Sequence, residues 1–367
     1  MSFCSHFNQG ACRSCSLIEI SYSSQIQEKE SRLEAMVKIP LDKSTASLEQ
    51  GFRQKIKIAV SGDLTQPILG LAQLERSREL YDCPIQSEPL NRELKDLCEF
   101  IKKWKLTPYS ILERKGELKS LILSHSPVSG EKMLRFVLRS KEALDRIRLG
   151  LVDLKNFKVV SVNIQPIAHA ILEGEEEIIL SSHRFITHRY DQLEIYYGPQ
   201  SFMQTNLSVA LELYRTAKLW AKELNPIRVA DLFCGSGSFA LHLAGPEREV
   251  LGFELSREAV TLATLAAVTQ KLPAQFVASS AESVFQQLES FAPVLVVVNP
   301  PRRGLAATLP PLLKLAPKYI LYSSCSPESF EIDLQALLKE YQPRRSQLFD
   351  MFPHTHHFES LTLLCRK

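Results

Sequence analysis

The chain has 367 residues, of which 45% are hydrophobic and 23% are charged, and its net charge is +3. This composition is typical of a globular protein with enough apolar residues for a sizeable core, and the length predicts two domains. The sequence shows neither a basic segment followed by an apolar leader nor an apolar run of about eighteen residues. These features argue against export and membrane insertion, so the cytoplasm is the expected location.

Three of the eight cysteines, Cys4, Cys12 and Cys15, lie close to the amino terminus. Clustered thiols in a cytoplasmic protein are typical of metal ligands rather than of disulfides. The next cysteine along the chain is Cys83, and a proline follows it, as a proline follows some iron-sulfur ligands. Four thiolates suit either tetrahedral zinc or a 4Fe-4S cluster, and the spacing does not decide between the two.

Residues 1–198 predict an α+β domain with an antiparallel sheet. Short apolar runs such as KIKIAVSG, KSLILSH, MLRFVLRS and KVVSVNIQP predict strands, and ELKDLCEFIKKW predicts a helix. Between Ile101 and Val160 there are fourteen Lys or Arg residues against six Asp or Glu residues. This surplus suits either a surface that contacts nucleic-acid phosphates or an ordinary solvated face.

Residues 199–367 predict a doubly wound, mostly parallel sheet. Five buried strands, VADLF, EVLGFE, AQFVAS, PVLVVVN and KYILYSS, alternate with helical patterns such as REAVTLATLAAVTQ and PESFEIDLQALLKE. Two more strands, QLFDMF and HFESLTLLCRK, follow without a helix between them. We therefore expect an antiparallel hairpin at the edge of this sheet.

The first strand of the second domain runs into a glycine-rich turn, DLFCGSG, which opens a helix. Gly235 and Gly237 allow the backbone to approach a ligand, and Glu254, at the end of the next strand, can accept hydrogen bonds from ribose hydroxyls. This pattern predicts a nucleotide-type cofactor. Both an NAD-dependent dehydrogenase and an S-adenosylmethionine-dependent methyltransferase fit it, and the form D-x-F-x-G-x-G with a terminal hairpin favours the methyltransferase.

The fourth strand ends in VVVNPPRRG, which places Asn299 at the edge where ligands bind in open α/β sheets. Methyltransferases that act on a base amine carry an aromatic residue after such an Asn-Pro-Pro turn. Here Arg302 and Arg303 take that place, which favours a substrate held by phosphate contacts or by guanidinium stacking.

The fifth strand ends in SSCSP, so Cys325 lies at the same edge and at the start of a helix, where a thiol pKa is lowered. Cys325 is therefore a candidate nucleophile. Glu359 lies in the terminal hairpin after HTHHF, and it is a candidate acid or base. His354, His356 and His357 could transfer a proton or contact phosphate, but core or surface positions also explain them. Cys98, Cys234 and Cys365 fit core positions.

Taken together, SFMQTN, DLFCGSG, GFE, NPPRRG, SSCSP, DMFPHTHHFESLTLL and the amino-terminal cysteines resemble the bacterial uracil-C5 RNA methyltransferases over essentially the whole chain. The resemblance is greatest to the members that act on uridine 747 in a loop of 23S ribosomal RNA. It implies a class I S-adenosylmethionine-dependent methyltransferase fold, preceded by an α+β, RNA-binding domain with an iron-sulfur site.

The resemblance also implies the role of each site residue. Gln204, Phe233, Glu254 and Asn299 would contact S-adenosylmethionine, Cys325 would be the nucleophile and Glu359 the base. Cys4, Cys12, Cys15 and Cys83 would hold a 4Fe-4S cluster with a structural role. The partner would be 23S ribosomal RNA with a flipped-out uridine, and no obligate protein partner is evident. A methyltransferase acting on a base amine and a non-catalytic iron-sulfur RNA-binding protein are the alternatives.

Overall fold

The structure of the protein is a computed structural model that describes residues 2–71, 78–167 and 173–367. Its helices are α1 (Ser5–Asn8), α2 (Tyr22–Val37), α3 (Glu88–Lys103), α4 (Leu144–Leu149), α5 (Leu207–Leu224), α6 (Ser238–Leu243), α7 (Arg257–Thr269), α8 (Phe285–Phe291), α9 (Leu309–Leu315) and α10 (Pro327–Leu337), with 3-10 helices at Gly150–Asp153 and Ala306–Thr308. Its strands are β1 (Asp42–Thr45), β2 (Lys55–Gly62), β3 (Pro67–Leu71), β4 (Arg78–Glu79), β5 (Leu118–His125), β6 (Lys132–Leu138), β7 (Val159–Ile164), β8 (Glu176–Ile179), β9 (Ile186–Tyr190), β10 (Leu193–Tyr197), β11 (Arg228–Leu232), β12 (Glu249–Glu254), β13 (Ala274–Ala278), β14 (Leu295–Val298), β15 (Tyr319–Ser324), β16 (Tyr341–Phe349) and β17 (Glu359–Arg366). No helix within the described residues is both long enough and apolar enough to cross a membrane.

The chain forms two compact units that interleave along the sequence. The first unit comprises residues 1–14, 50–188 and 197–205, and the second comprises residues 15–49, 189–196 and 206–367. This division differs from the expected boundary after residue 198. The reason is that residues 15–49 form α2 and β1, which pack against β16 in the second unit.

The first unit contains a seven-stranded sheet in the order β4-β3-β2-β5-β6-β7-β8. Its pairs are antiparallel except for β6 and β7, which run parallel. Helix α3 packs its apolar face, which includes Leu90, Leu94 and Leu97, into a core with residues from β2, β5 and β6. The expectation of an α+β arrangement with a largely antiparallel sheet is confirmed.

The second unit contains an eight-stranded sheet in the order β1-β16-β17-β15-β14-β11-β12-β13. Strands β11 to β15 are parallel, and β17 runs antiparallel to both β15 and β16. The expected doubly wound sheet with an antiparallel tail is confirmed. The expected place of the hairpin at the sheet edge is wrong, because β1 pairs in parallel with β16 and forms that edge.

Candidate active site

The site residues of the second unit follow the carboxyl ends of neighbouring parallel strands. Leu232 on β11 pairs with Phe253 on β12 and with Val298 on β14, so Phe233, Glu254 and Asn299 come next at one edge. Crevices at this edge are where open α/β sheets bind ligands. The three residues are partly buried, so each retains surface that a ligand can contact.

The glycine-rich turn after β11 is shaped by backbone conformation. Gly235 and Gly237 have φ of 55° and 82°, in the left-handed region that favours glycine. The Gly235 N–H donates to Glu254 Oε2 at 3.1 Å, and the Ser256 N–H donates to Oε1 at 2.9 Å. A Cβ atom placed on Gly235 would meet no atom within 4 Å. The turn therefore leaves open space next to Gly235, beside the Glu254 carboxylate that these two hydrogen bonds orient.

The Asn-Pro-Pro-Arg-Arg-Gly turn is held by a buried carboxylate that the sequence motifs did not point to. Asp333 Oδ2 accepts hydrogen bonds from the Leu305 N–H at 2.7 Å and from the Tyr322 hydroxyl at 2.6 Å. Gly304 has a φ of 76°, and a Cβ there would lie 2.6 Å from the same oxygen. Asp333 on α10 therefore links the turn that follows Asn299 to Tyr322 on strand β15.

Cys325 lies one residue beyond β15 and is partly exposed. Burial and the nearby Glu359 raise the pKa of its thiol to about 11, while the charge of Arg302 and a hydrogen bond from its side chain oppose the rise. The expected lowering of this pKa by the helix terminus is thus not observed. The N-cap of α10 is Ser326, whose hydroxyl, not the thiol, accepts from the Ser329 N–H. Arg302 is the cation that favours a thiolate here.

Glu359 begins β17 and is almost completely buried, with 1% of its surface exposed. Its Oε1 accepts a hydrogen bond from the Ser323 hydroxyl at 2.5 Å. Burial raises the pKa of this carboxyl to about 7, and the Ser323 hydrogen bond opposes that rise. A carboxyl group with such a pKa can act as a base near neutral pH.

Strand register brings Cys325 and Glu359 together. Ser324 pairs with Ser360 across the antiparallel β15–β17 ladder, so one further step places Cys325 opposite Glu359. Residues at alternate positions share one face of a strand, and Ser323 and Cys325 therefore face the same side. The arrangement combines a thiol, a cation that stabilises its anion, and a base of near-neutral pKa.

Comparison with known proteins identifies the family to which the chain is similar. Residues 188–367 match the family described as tRNA (Uracil-5-)-methyltransferase. A 23S rRNA (uracil(747)-C(5))-methyltransferase from Edwardsiella ictaluri is 41% identical over 373 residues, which cover 99% of both chains. A protein of the same description from Vibrio cholerae is 41% identical over 374 residues, which cover 99% of this chain and all of the relative.

The chain belongs to the RNA uracil-C5 methyltransferase family. A solved structure that resembles this member of the family is the tRNA (uracil-54, C5)-methyltransferase of Pyrococcus abyssi, determined in complex with S-adenosyl-L-homocysteine. The two share 25% identity with a TM-score of 0.81, over 95% of this chain and 85% of that one. The likeness therefore extends over both units of this methyltransferase.

Three of the four cysteines expected to bind a metal lie in the first unit of this methyltransferase. Burial raises the pKa of the Cys83 thiol, and the nearby thiols of Cys4 and Cys12 add to the rise. The Gln86 N–H donates to the Cys83 carbonyl at 3.1 Å. A contact of 2.6 Å between His6 Nε2 and Asp82 Oδ1 ties the amino-terminal segment to the Cys83 loop. Cys15 is the first residue of the second unit.

The chemistry of these thiol donors fits a thiophilic metal centre, because thiolates bind both zinc and iron-sulfur clusters. Among residues 2–71, 78–167 and 173–367, however, no group of three or more His, Cys, Asp or Glu side chains is arranged to hold a metal ion. The metal site therefore remains a prediction.

The other predicted residues occupy varied positions. Gln204 lies in the first unit and is buried. His354 is buried, and its Nε2 contacts the Glu49 carbonyl at 2.9 Å, which accounts for it structurally. His356 and His357 are exposed, and His356 Nδ1 lies 3.3 Å from Glu28 Oε1.

Much of the basic surplus between residues 101 and 160 is neutralised within the first unit. Arg135 forms ion pairs with Glu173 and Glu177, each at 2.6 Å. Other basic residues with acidic partners are Lys102, Lys103, Lys132, Arg139, Lys141, Arg146, Arg148 and Lys158. Lys105, Arg114 and Lys115 are exposed, so these three cations are available to contact a phosphate backbone.

Proposed function

We propose that the protein transfers a methyl group from S-adenosylmethionine to C5 of a uridine in 23S ribosomal RNA. The observation that carries the proposal is the proximity of Cys325, one residue beyond β15, to the buried Glu359 at the start of the adjacent strand β17, with Arg302 near the thiol. A nucleophile and a base that act on adjacent ring atoms, C6 and C5, need this proximity.

The residues at the strand ends fit the methyl donor. The open space next to Gly235 gives room for the backbone to approach it, and Glu254 presents a carboxylate suited to ribose hydroxyls. Phe233 and Asn299 line the same edge. Gln204 is proposed as a fourth contact on the family resemblance alone. When bound, S-adenosylmethionine supplies a methyl group on a positively charged sulfur, which makes that methyl electrophilic.

The first step assigned to the chain is addition of the Cys325 sulfur to C6 of uracil. The thiol first loses its proton to water, which reaches it because the side chain is partly exposed. Arg302 stabilises the resulting thiolate. As the sulfur–C6 bond forms, the C5–C6 double bond opens and its electron pair gives an enolate with density at C5. That carbon would then form a bond to the methyl group as the sulfur–methyl bond breaks, with S-adenosylhomocysteine as the leaving group.

The second step is removal of the proton that remains on C5. The Glu359 carboxylate takes it, the electrons of the C–H bond re-form the C5–C6 double bond, and the carbon–sulfur bond breaks. Cys325 leaves as a thiolate, again beside Arg302. Because the pKa of Glu359 is about 7, the carboxylate is available at neutral pH and is basic enough to accept the proton.

The substrate assignment follows the relatives, which are described as acting on uracil 747 of 23S rRNA. We propose the same uridine here. It lies in a loop and would be flipped out of its stack, because C6 is inaccessible within a stacked helix. The first unit, with exposed Lys105, Arg114 and Lys115, would contribute contacts to the RNA backbone.

We also propose that Cys4, Cys12, Cys15 and Cys83 hold a 4Fe-4S cluster with a structural role. Support comes from the family resemblance and from the proximity of the Cys4 and Cys12 thiols to the Cys83 thiol. When bound, such a cluster would tie the amino-terminal segment to the chain around Cys83. Methyl transfer itself requires no redox step.

The function can be tested with 23S ribosomal RNA from a strain that lacks the gene. Incubation with the purified protein and methyl-labelled S-adenosylmethionine should introduce one 5-methyluridine, which mass spectrometry of RNA fragments should place at position 747. RNA with cytidine at that position is the matched control and should remain unlabelled. Label on an exocyclic amine instead of C5 would overturn the proposed reaction.

A further inference from the structure

The segment that leads into Glu359 is held by a helix from the opposite end of the chain. This segment, residues 350–358, joins β16 to β17 and is called the base loop here. Helix α2 presents Tyr22, Gln25 and Lys29 toward it, at spacings of three and four residues that place them on one helical face. Gln25 and Lys29 are buried although both are polar, so the face is specialised for polar contacts.

Gln25 binds the backbone of the base loop directly. Its Oε1 accepts the His354 N–H at 2.9 Å, and its Nε2 donates to the Leu17 carbonyl at 3.0 Å. The Leu17 N–H in turn donates to the His354 carbonyl at 2.9 Å. His354 has a φ of 65°, a conformation that costs free energy in a residue other than glycine. The surrounding hydrogen bonds hold it there.

Lys29 makes a second contact, with the first residue of the base loop. Its ammonium donates to Asp350 Oδ1 at 2.7 Å, and the Tyr22 hydroxyl donates to Oδ2 at 2.8 Å. Lys29 is 3% exposed and Asp350 is completely buried. Burial of both charges costs solvation energy, and an apolar pair at the same positions is often at least as stable. The Lys29–Asp350 ion pair is therefore better explained by the position that it gives the base loop than by a gain in stability.

We propose that α2 positions the catalytic base: Gln25 and Lys29 are positioning residues that fix the base loop and thereby the place of Glu359 opposite Cys325. The inference rests on the proposed function, in which Glu359 removes the C5 proton. It predicts that loosening the base loop slows elimination selectively, because addition and methyl transfer depend on Cys325 and Arg302.

The test uses Gln25→Leu in the full-length protein, with unmodified RNA and labelled S-adenosylmethionine. We expect one methyl transfer per enzyme, followed by release that is slowed on the order of 10- to 100-fold, the cost of a misplacement of about 1 Å. A methylated RNA–protein adduct should therefore accumulate in denaturing gels. Arg32→Gln is the matched control, since it removes an exposed ion pair between α2 and Glu328 and should turn over normally.

Glu359→Gln is run in parallel and keeps the two proposals separate. If Glu359→Gln accumulates adduct and Gln25→Leu turns over like the wild type, the positioning role is overturned while the proposed function stands. If Glu359→Gln itself turns over without adduct, Glu359 is not the base, and both the proposed elimination step and the positioning role fail. Failure of the wild type to methylate C5 of the uridine would overturn the proposed function itself.

A second comparison separates positioning from stability. Lys29→Met leaves Asp350 buried without its charge partner and should destabilise the protein, whereas Lys29→Met combined with Asp350→Leu removes both charges and should restore the denaturation midpoint. The double variant should still accumulate adduct, because its base loop lacks the ion pair. Wild-type elimination in a stable double variant would overturn the role of Lys29.

Discussion

Replacing Glu359 with Gln should make the protein more stable at alkaline pH. The pKa of this carboxyl is about 7 in the folded protein against an ordinary value of 4.5, because burial disfavours the charged form. The folded state thus favours the protonated carboxyl group. Its contribution to the stability of the folded protein is fully present below the unfolded pKa of 4.5 and is lost as the pH rises through 7. A pKa difference of this size corresponds to about 3 kcal/mol in the free energy of unfolding.

The assay is chemical denaturation of the wild type and of Glu359→Gln at about pH 5 and about pH 8.5. Gln at position 359 can still accept the hydrogen bond from Ser323. Effects of the substitution that do not depend on pH cancel when the stability difference between variant and wild type at one pH is compared with that at the other. Between these pH values the advantage of the variant should grow by about 2.5 kcal/mol. Glu331→Gln, at an exposed position on α10, is the control and should leave the pH dependence unchanged. Parallel stability curves for the wild type and Glu359→Gln would refute the reasoning.

Three further variants test the other parts of the site. Cys325→Ala should abolish methyl transfer yet bind S-adenosylmethionine as the wild type does by calorimetry, and residual turnover would exclude covalent catalysis. Arg302→Met should raise the pKa of the Cys325 thiol further and slow its alkylation by iodoacetamide several-fold at neutral pH, because less of the thiol is then ionised, whereas an unchanged pH profile would exclude thiolate stabilisation by Arg302. Protein purified without oxygen should be brown with about four irons per chain, and Cys83→Ser should lose both the colour and the iron. A colourless wild type that holds one zinc would overturn the cluster assignment.

The parallel strands of the second unit were predictable because their burial is continuous. Runs such as Leu295–Val298 contain only apolar β-branched or leucine residues, which is typical of a strand covered on both faces. Helix α2 was not predicted, because half of its buried face consists of Gln25 and Lys29 and hydrophobic periodicity does not register it. For the same reason β1, with the sequence DKST, was not predicted as the edge strand that pairs with β16.

Motifs pointed to candidate active-site residues but not to their electrostatics. Glycines, strand-end polar residues and the family resemblance pointed to Glu254, Cys325 and Glu359. The pKa of Cys325 is raised by burial and by Glu359, and Arg302 opposes the rise. Strand register brings Glu359 opposite Cys325 over a separation of 34 residues, which no local sequence pattern encodes. Ser323 lies two residues before Cys325, and its contact with Glu359, the proposed base, became recognisable only through the same strand pairing.

Covalent capture by RNA that carries 5-fluorouridine at position 747 tests the central claim most directly. In the proposed mechanism Glu359 removes a proton from C5, and it cannot remove fluorine in the same way, so the reaction should stop after methyl transfer with the sulfur still bound to C6. We predict a stoichiometric adduct in which the tryptic peptide containing Cys325 carries a methylated fluorouridine, and we predict that Cys325→Ala forms none. Methylation of the fluorinated RNA with full release of free enzyme, or attachment at another residue, would contradict the account.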